Sequence, residues 1–559
     1  MKSRLQKIEI TNFKAFREFT LNLEGRHLLL YGANGAGKSS LYWSLYTFLQ
    51  SAAKTTPGVA KYFDPSDDQR LLNIHEDAVS KPGEIAITLR DTTTRNDTIY
   101  RISYTDHGTR NQPAILKGDL ASDFITYRFF FGFSHFSNKV SFDLWDLFEK
   151  EILPFCVSTG GGGRMPKQMW DAIKDENPNP YASRGLGGTY AYDEFKANTQ
   201  AFATILPGIV DGISKEAQAF YDRHFSSGDK AKIILKLGVT QNVAANGSSL
   251  HDFSFTRPKI EFGIKVDGTA IERPQSFLNE AKLTQLALSV RFAASMVNLH
   301  ESDLKLLVLD DLLVSLDMDN RMKVVEILLG PDFESYQKII LTHDRGFFEE
   351  FRRVIGDRHT EWCFRSLLGN SKDGIRDKIE KGAIQRAADY IQSHDLEAAA
   401  VLLRKAAEET AKRYRRVAMG EISAPGDFHS LSQDLKAAKN HLMQKLPMTL
   451  YNQAIKGVPK AHRDKLVCAS DEDIDTDATL DLPTKNIIKA QRKRLKQFLS
   501  QEAWRNLEAV EAVDAIIQMK DRVLNPAAHW NESPLYDAEL KKALRLVSAF
   551  ERSLSNPTI

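Results

Sequence analysis

The segment 31–45, YGANGAGKSSLYWSL, constrains the fold more than any other part of the chain. In it, Gly32 is followed by four residues and then by Gly37, Lys38 and Ser39, which is the full P-loop pattern. The apolar run 27–31 predicts a buried strand before this turn, and helical spacing follows it. Glycines let such a turn close around a phosphate, and the N–H groups at the helix start point at the anion. The predicted binding residues of this nucleoside triphosphate site are Gly32, Asn34, Gly35, Gly37, Lys38, Ser39 and Ser40.

Composition limits the class of protein. Of the 559 residues, 42% are hydrophobic and 26% are charged, which is typical of two or three globular domains. The net charge of +2 excludes a uniformly basic protein that coats nucleic acid, so any basic binding surface is local. The cysteines Cys156, Cys363 and Cys468 are odd in number and widely spaced, which predicts neither a disulfide framework nor a zinc site. No apolar run approaches the roughly 20 residues of a membrane span, and the N-terminus lacks a signal-peptide core. We therefore expect a cytoplasmic protein with no membrane partner.

Two further apolar runs end in polar residues that suit the same site. The run 304–311, LKLLVLDD, predicts a buried parallel strand that ends in Asp310 and Asp311. The run 338–341 predicts a second strand, and His343 lies just beyond its end. In open α/β sheets, ligands bind at the carboxyl ends of the strands. These side chains are therefore predicted to gather beside the P-loop.

The motifs together resemble the ABC-type ATPase heads of the SMC and RecF kind. The β-like stretches 5–10 and 19–23 before the P-loop resemble the N-terminal lobe of these heads, and the segment 277–294, FLNEAKLTQLALSVRFAA, resembles their signature segment. The resemblance covers residues 1–368. It implies that the nucleotide is ATP and that Mg²⁺ accompanies it.

The resemblance also implies a role for each polar residue at the strand ends. Asp310 takes the Walker B position and holds Mg²⁺ together with Ser39. Asp311 stands where these heads usually have a glutamate that polarises the attacking water, and its shorter side chain predicts slow hydrolysis. Asp317 belongs to a D-loop, and His343 is the switch histidine.

Sites of this family are completed by a second protomer, which implies a homodimer or a higher homo-oligomer with ATP sandwiched between the heads. Asn279 is predicted to cap the signature helix in place of the usual serine, although Glu280 and Ala281 replace the usual glycines. Lys14 and Arg17, in the turn between the first two β-like stretches, are either close to the nucleotide or ordinary exposed turn charges.

The rest of the chain is divided by composition. The segment 123–155 is aromatic-rich and mostly helical in spacing, and no glutamine loop can be assigned in it. Residues 158–228 combine a glycine- and proline-rich stretch with a helical pattern, which predicts a mobile loop and a short helical arm insertion. Residues 369–381 are predicted to be a linker, and 382–559 a separate helical domain. The predicted fold class is an α/β ABC/SMC-type P-loop head with a short helical insertion, followed by an all-α domain.

Four residues of the helical domain are candidate catalytic residues. Arg404 and Glu408 are spaced i, i+4 and share a helix face, and Arg522 and His529 are separated by six residues. This set resembles HEPN ribonuclease domains, and in particular the PrrC- and RloC-type anticodon nucleases of bacterial antiphage defence, which join an ABC-type head to a HEPN domain. The chain lacks the long arms and zinc-hook cysteines of the RloC type. The same residues also fit a surface ion pair and a histidine beside a proline break.

The resemblance implies an RNA substrate, such as tRNA or another structured RNA, and metal-independent cleavage in an antiphage toxin. His529 would exchange protons with the ribose 2′-OH or the leaving oxygen, Arg404 or Arg522 would hold the scissile phosphate, and Glu408 would orient them. One alternative is a regulatory ATPase scaffold that controls a separate effector nuclease, with an accessory defence protein as partner. Another is a RecF-like DNA-repair clamp. Two basic clusters fit either an RNA backbone or a solvated helix face: Arg413, Arg415 and Arg416, and Arg492, Lys493, Arg494 and Lys496.

Overall fold

The computed structural model describes residues 3–126, 143–156, 165–176, 189–246, 254–298, 302–311, 318–421, 429–446, 452–453, 455–525 and 534–554. The chain forms two compact units that divide between Glu380 and Lys381. The strands are β1 Ser3–Phe13, β2 Phe16–Asn22, β3 His27–Gly32, β4 Glu84–Asp91, β5 Asp97–Ser103, β6 Asp123–Thr126, β7 Ile233–Gln241, β8 Ala244–Asn246, β9 Ser254–Thr256, β10 Lys259–Val266, β11 Thr269–Ile271, β12 Leu306–Asp310, β13 Gln337–Thr342, β14 Trp362–Asn370 and β15 Gly374–Ile379.

The helices of the first unit are α1 Lys38–Ser51, α2 Thr56–Ala60, α3 Pro113–Ala121, α4 Trp145–Leu147, α5 Pro166–Glu176, α6 Thr189–His224, α7 Pro274–Phe277, α8 Glu280–Asn298, α9 Met318–Leu329 and α10 Arg345–Ile355. Those of the second unit are α11 Ala383–Gln392, α12 Leu396–Ala418, α13 Leu431–Gln444, α14 Arg463–Val467, α15 Asp471–Thr476, α16 Leu482–Phe498, α17 Gln501–Met519 and α18 Asp537–Arg552. None of the described helices is long and apolar enough to cross a lipid bilayer.

The first unit is organised by a six-stranded sheet in the order β15-β14-β3-β13-β12-β6. The five strands other than β15 run parallel to one another, and β15 is antiparallel to β14. Every residue of β12 and β13 is buried, as expected of strands covered on both faces. The carboxyl ends of β3, β12 and β13 consequently meet at one edge, and this positions the site.

A second sheet, β2-β1-β4-β5, is antiparallel and packs its apolar face against α1. In this sheet, β4 and β5 form an antiparallel pair in which Glu84 lies opposite Ser103. The strand β6 lies in the segment 123–155, which was predicted to be mostly helical. Its four residues form a strand because they pair in parallel with β12, a partner that is distant in the sequence.

Two predictions about domain organisation need correction. The helix α6 was expected to belong to a short arm, but its buried side chains, among them Phe202, Ile213 and Phe220, lie in the main core of the first unit, in the same cluster as residues of α8 and β7. Residues 158–164 and 177–188 of the predicted loop lie outside the described residues, and α5 lies between them. The segment expected to be a linker, 369–381, instead forms the end of β14, a turn and β15, because the backbone of β15 pairs with β14 along its whole length.

In the second unit, the described residues form helices joined by turns and loops and no strand, as the sequence predicted. Its core is built from one face each of the long helices, with Leu403, Leu435, Val513 and Phe550 fully buried. Between α17 and α18 the chain continues as a π-helical turn, Lys520–Leu524, which contacts α12. This contact joins two segments that are more than a hundred residues apart in the sequence.

Candidate functional site

The P-loop is shaped to receive an anion. Gly35 and Gly37 have φ of 83° and 96°, in the left-handed region that favours glycine. A Cβ atom on Gly37 would lie only 2.7 Å from Ile375 Cδ1. The helix α1 begins at Lys38, no side chain caps its first turn, and no acidic residue lies there. Its N-terminal N–H groups are therefore left for a negatively charged ligand.

Lys38 is buried within the loop that it serves. Its Nζ donates hydrogen bonds to the carbonyl oxygens of Gly32 at 2.9 Å and Ala33 at 3.4 Å. The same atom lies 3.7 Å from Asp311 Oδ2. The ammonium group is thus held between the P-loop and the end of β12, where β- and γ-phosphates bind in this motif.

Asp311 connects two strand ends. Its backbone is in the left-handed region, with φ of 52°. Its Oδ1 accepts a hydrogen bond from the backbone N–H of His343 at 2.9 Å, and His343 Nδ1 is also 2.9 Å from this oxygen. The structure therefore brings Lys38, Asp311 and His343 together, as predicted from strand order. Asp317 and the rest of the predicted D-loop lie outside the described residues.

The chemistry of Asp310 fits a divalent cation. Burial raises the pKa of this carboxyl group to about 6, and a hydrogen bond with the Ser39 side chain acts in the opposite direction. Asp310 is 5% exposed, and its Oδ1 is buried without a hydrogen-bond partner among the described residues. A cation beside this orphan oxygen would offset the cost of burying the charge. No cluster of three or more His, Cys, Asp or Glu side chains suited to a metal occurs among the described residues, so Mg²⁺ would depend on Ser39, Asp310 and the phosphates.

The signature-like segment presents polar groups to solvent. Asn279 Oδ1 accepts a hydrogen bond from the backbone N–H of Lys282 at 2.8 Å, so Asn279 caps α8. Asn279 itself is exposed, and the neighbouring Phe277 is 61% exposed. Lys282 reaches back to Asp229 Oδ1 at 2.5 Å. Asn279 therefore caps α8, and its exposed side chain can be reached by another molecule.

The basic turn residues and Ser40 have local partners. Arg17 forms an ion pair with Glu76 and donates a hydrogen bond to Lys372 O at 3.0 Å. Lys14 Nζ lies 5.6 Å from the centroid of the Trp43 ring, and burial lowers the pKa of this lysine. Ser40 Oγ accepts a hydrogen bond from the backbone N–H of Ala15 at 3.3 Å, which ties this turn to α1.

In the second unit, Arg404 connects α12 to the end of the π-helical turn. Its Nε donates to Glu408 Oε1 at 3.1 Å, and its Nη1 donates to Asn525 Oδ1 at 3.2 Å. Asn525 Nδ2 in turn donates to Asp521 Oδ1 at 2.6 Å. Arg404 and Glu408 are thus paired as the spacing predicted. Asn525 was not predicted, since an asparagine before a proline has no pattern that distinguishes it from a turn residue.

Arg522 has other partners. Its Nη2 donates to Pro534 O at 2.9 Å and lies 3.4 Å from Glu539 Oε2, and its guanidinium lies over the Tyr536 ring. The structure therefore does not pair Arg522 directly with Arg404 or Glu408. His529 lies outside the described residues, as do residues 127–142 of the segment in which no glutamine loop could be assigned.

Comparison with known structures gives distant likenesses. The recombination mediator RecF with ATP, of the RecFOR pathway, is 13% identical with a TM-score of 0.40, over 68% of this chain and 98% of that chain. The SmcHead bound to the C-winged helix domain of ScpA is 14% identical with a TM-score of 0.32, over 67% and 97%. The Smc head domain with an extended coiled coil, bound to the C-terminal domain of ScpA from Pyrococcus furiosus, is 13% identical with a TM-score of 0.37, over 70% and 100%.

Comparison with proteins of curated function gave no match. A family model does match: the RecF/RecN/SMC N-terminal domain, over residues 4–363. This range exceeds half of the chain and contains the P-loop, the signature-like segment, Asp310 and His343. The chain therefore belongs to the RecF/RecN/SMC N-terminal domain family and is an ABC-type ATPase that binds ATP.

Proposed function

We propose that this ATPase controls an RNA endonuclease in its own helical unit, with Arg404, Glu408, Arg522 and His529 as the cleaving residues. The observation that carries the proposal is the pair of hydrogen bonds from Arg404 to Glu408 and to Asn525. Asn525 precedes His529 by four residues, so the arginine is bonded to the segment that leads to the proposed acid–base group.

The proposed chemistry needs no metal in the helical unit. His529 takes a proton from the ribose 2′-OH or returns one to the leaving 5′-oxygen, and Arg404 stabilises the charge gained by the phosphate. Glu408 fixes the orientation of the Arg404 guanidinium through the 3.1 Å hydrogen bond. Because the attacking group is the 2′-OH, RNA is cleaved and DNA is not. The expected substrate is tRNA or another structured RNA, and the expected setting is antiphage defence.

In this proposal, ATP acts as the gate. Two heads of a homodimer, or of a higher homo-oligomer, enclose the nucleotide between the P-loop of one protomer and Asn279 of the other. Ser39 and Asp310 would hold Mg²⁺, which would neutralise phosphate charge when bound. Asp311 polarises the attacking water, and its short side chain makes hydrolysis slow, so the ATP-bound state persists.

The test compares RNA cleavage by Arg404→Ala with cleavage by Lys405→Ala. Lys405 is a matched control because it forms the adjacent i, i+4 pair on α12, with Glu409 at 3.9 Å, and both partners are more than half exposed. We expect Arg404→Ala and His529→Ala to reduce cleavage of total RNA by roughly 100-fold or more, and Lys405→Ala to cleave as wild type does. Each protein is incubated with ATP and with a non-hydrolysable analogue. Intact RNA with wild-type protein under every condition would refute the nuclease.

A second function is favoured by the contacts of Arg522. Its guanidinium is engaged by Pro534 O, Glu539 and Tyr536, which is the arrangement of a structural arginine. The helical unit would then be a docking module through which the ATPase controls a separate effector nuclease. In that case purified protein leaves RNA intact, and cleavage appears only when the partner is added. A RecF-like clamp instead predicts ATP-dependent binding to DNA ends or gaps.

A further inference from the structure

The helix α16, Leu482–Phe498, carries six cationic side chains, and the structure separates them into two groups. The first group lies on one side of the helix and has partners. Lys489 forms an ion pair with Asp475, Lys485 Nζ donates to Asp475 O at 2.7 Å, and Arg492 Nε lies 3.1 Å from Asp471 Oδ1. We call Lys485, Lys489 and Arg492 the inner stripe. The acidic segment beside α16 therefore neutralises part of the helix.

Lys496 extends the inner stripe by one turn. Its Nζ lies 5.7 Å from the centroid of the Trp504 ring, and the Arg492 guanidinium lies 5.8 Å from the same centroid. Both cations thus contact an aromatic face of α17. Contacts within the helical unit therefore explain the positions of the cations in the inner stripe.

The second group lies outside the inner stripe: Lys493 follows Lys489 at i+4 and borders the stripe, and Arg494 lies about 100° further round the helix. Lys493 and Arg494 are exposed, and neither forms an ion pair or a hydrogen bond with the described residues. Phe498, which is 65% exposed, follows Arg494 at i+4 and therefore shares its side of the helix. Ile487 is exposed on this face as well. We call Lys493, Arg494 and Phe498 the outer patch.

We propose that the outer patch binds a single-stranded segment of RNA. The proposal rests on the proposed nuclease function, for which it supplies a substrate-binding surface. Two cations that no described residue neutralises, four and five residues from the helix end, are complementary to backbone phosphates. An exposed aromatic ring next to an arginine offers a stacking surface to an unpaired base, and bases in a duplex cannot use it.

The contrast between the two groups is what favours a ligand over a solvated helix face. On the same helix, the unit supplies acidic or aromatic partners to Lys485, Lys489, Arg492 and Lys496, whereas no residue that the structure describes provides such a partner to Lys493 or Arg494. An exposed aromatic ring beside an exposed guanidinium offers a stacking surface and a positive charge at the same place. A single-stranded RNA can pair its phosphates with the two cations and stack an unpaired base on the Phe498 ring.

The experiment measures binding of the full-length protein to a fluorescent 2′-O-methyl RNA single strand of about 12 nucleotides. The 2′-O-methyl group removes the attacking hydroxyl, so binding is measured without cleavage. The variant Lys493→Ala/Arg494→Ala is compared with Lys485→Ala/Lys489→Ala, which removes the same charge from the inner stripe. Phe498→Ala tests stacking. Dissociation constants are determined over a series of salt concentrations.

We expect Lys493→Ala/Arg494→Ala to lower the slope of log K against log salt by about 1.4, since each phosphate contact on a single strand contributes about 0.7. Phe498→Ala is expected to weaken binding about tenfold. Lys485→Ala/Lys489→Ala is expected to leave the slope unchanged. Equal slopes for the two double variants, or wild-type binding by Phe498→Ala, would overturn the proposal.

Two further measurements are made. One distinguishes RNA binding by the outer patch from binding to a membrane, and the other distinguishes failure of the patch proposal from failure of the nuclease proposal. If the outer-patch variants lose binding to phosphatidylserine vesicles and keep binding to RNA, the face belongs to a membrane surface and the proposal is wrong. Cleavage of unmodified RNA is measured in parallel. Patch-dependent binding without cleavage would refute the nuclease alone, and cleavage with patch-independent binding would refute the patch alone.

Discussion

At the scale of single residues, Asp311 departs most from an ordinary strand end. Its left-handed backbone places the carboxylate between the backbone N–H of His343 and Lys38 Nζ. A non-glycine residue keeps such a conformation only where surrounding contacts determine it. We infer that the contacts within the site determine this backbone conformation. We also infer that the negative charge of the Asp311 carboxylate has a function there.

We expect Asp311→Asn to retain ATP binding and to lower the rate of hydrolysis by roughly 100-fold or more, because the amide cannot act as a base toward water. Binding is measured with a fluorescent ATP analogue, and turnover by phosphate release. Lys38→Ala serves as the comparison, since it should lose nucleotide binding itself. Unchanged turnover in Asp311→Asn would show that another group polarises the water.

Lys338, at the start of β13, gives a prediction about pH and stability. The side chain is 4% exposed, and burial, with Arg4 and Arg358 acting in the same direction, lowers its pKa from 10.5 to about 8. At pH 7 the ammonium is charged in both the folded and the unfolded chain, so burying it costs stability. Above about pH 10.5 it is neutral in both states, and the cost disappears.

Lys338→Met is therefore expected to increase the free energy of unfolding by about 2–3 kcal/mol at pH 7. The gain should shrink as the pH rises from about 8 to 10.5. Thermal unfolding of the full chain at several pH values measures it, with Lys323→Met as the control because the Lys323 side chain is 40% exposed. A gain that is independent of pH would mean that packing, and not the charge, is responsible.

At the scale of elements, the strongly patterned strands were predictable and the weakly patterned ones were not. The apolar runs of β3, β12 and β13 predicted buried strands, and their ends placed Lys38, Asp311 and His343 correctly. The short β6 and the mostly polar β15 carry no such signal, since partners distant in sequence create them. In the same way, spacing alone paired Arg404 with Glu408, whereas the contact with Asn525 depends on tertiary packing.

The hairpin of β14 and β15 can be tested at its two glycines. Gly369 and Gly374 have φ of 98° and 93°, so an alanine at either position is strained by about 1 kcal/mol. A Cβ atom on Gly369 would also meet the carbonyl oxygen of Gly374, whereas one on Gly374 meets open space. We expect Gly369→Ala to cost a further 1–3 kcal/mol or so, measured as a lower melting temperature. Equal effects at both positions would indicate a flexible segment, as a linker would have.

At the scale of the whole molecule, the proposed pairing of two heads requires each head to supply two separate parts of a nucleotide site. The first part brings Lys38, Asp310 and Asp311 to one edge of the sheet. Asn279 is exposed and its helix is already capped, so its outer side is available to a second protomer. If nucleotide is enclosed between two heads, each site takes its P-loop from one chain and its Asn279 from the other.

This arrangement predicts complementation between two inactive variants. Lys38→Ala lacks a working P-loop, and Asn279→Arg places a bulky cation where the partner's nucleotide would bind, so each alone is expected to have little ATPase activity. When they are mixed in equal amounts, half of the dimers are mixed, and each mixed dimer contains one intact site out of two. The ATPase rate should therefore recover to about a quarter of the wild-type rate. Asn279→Ser, which keeps a capping side chain, controls for loss of the helix cap. If the mixture shows only the average of the two variants, each head completes its own site and the paired-head gate does not exist.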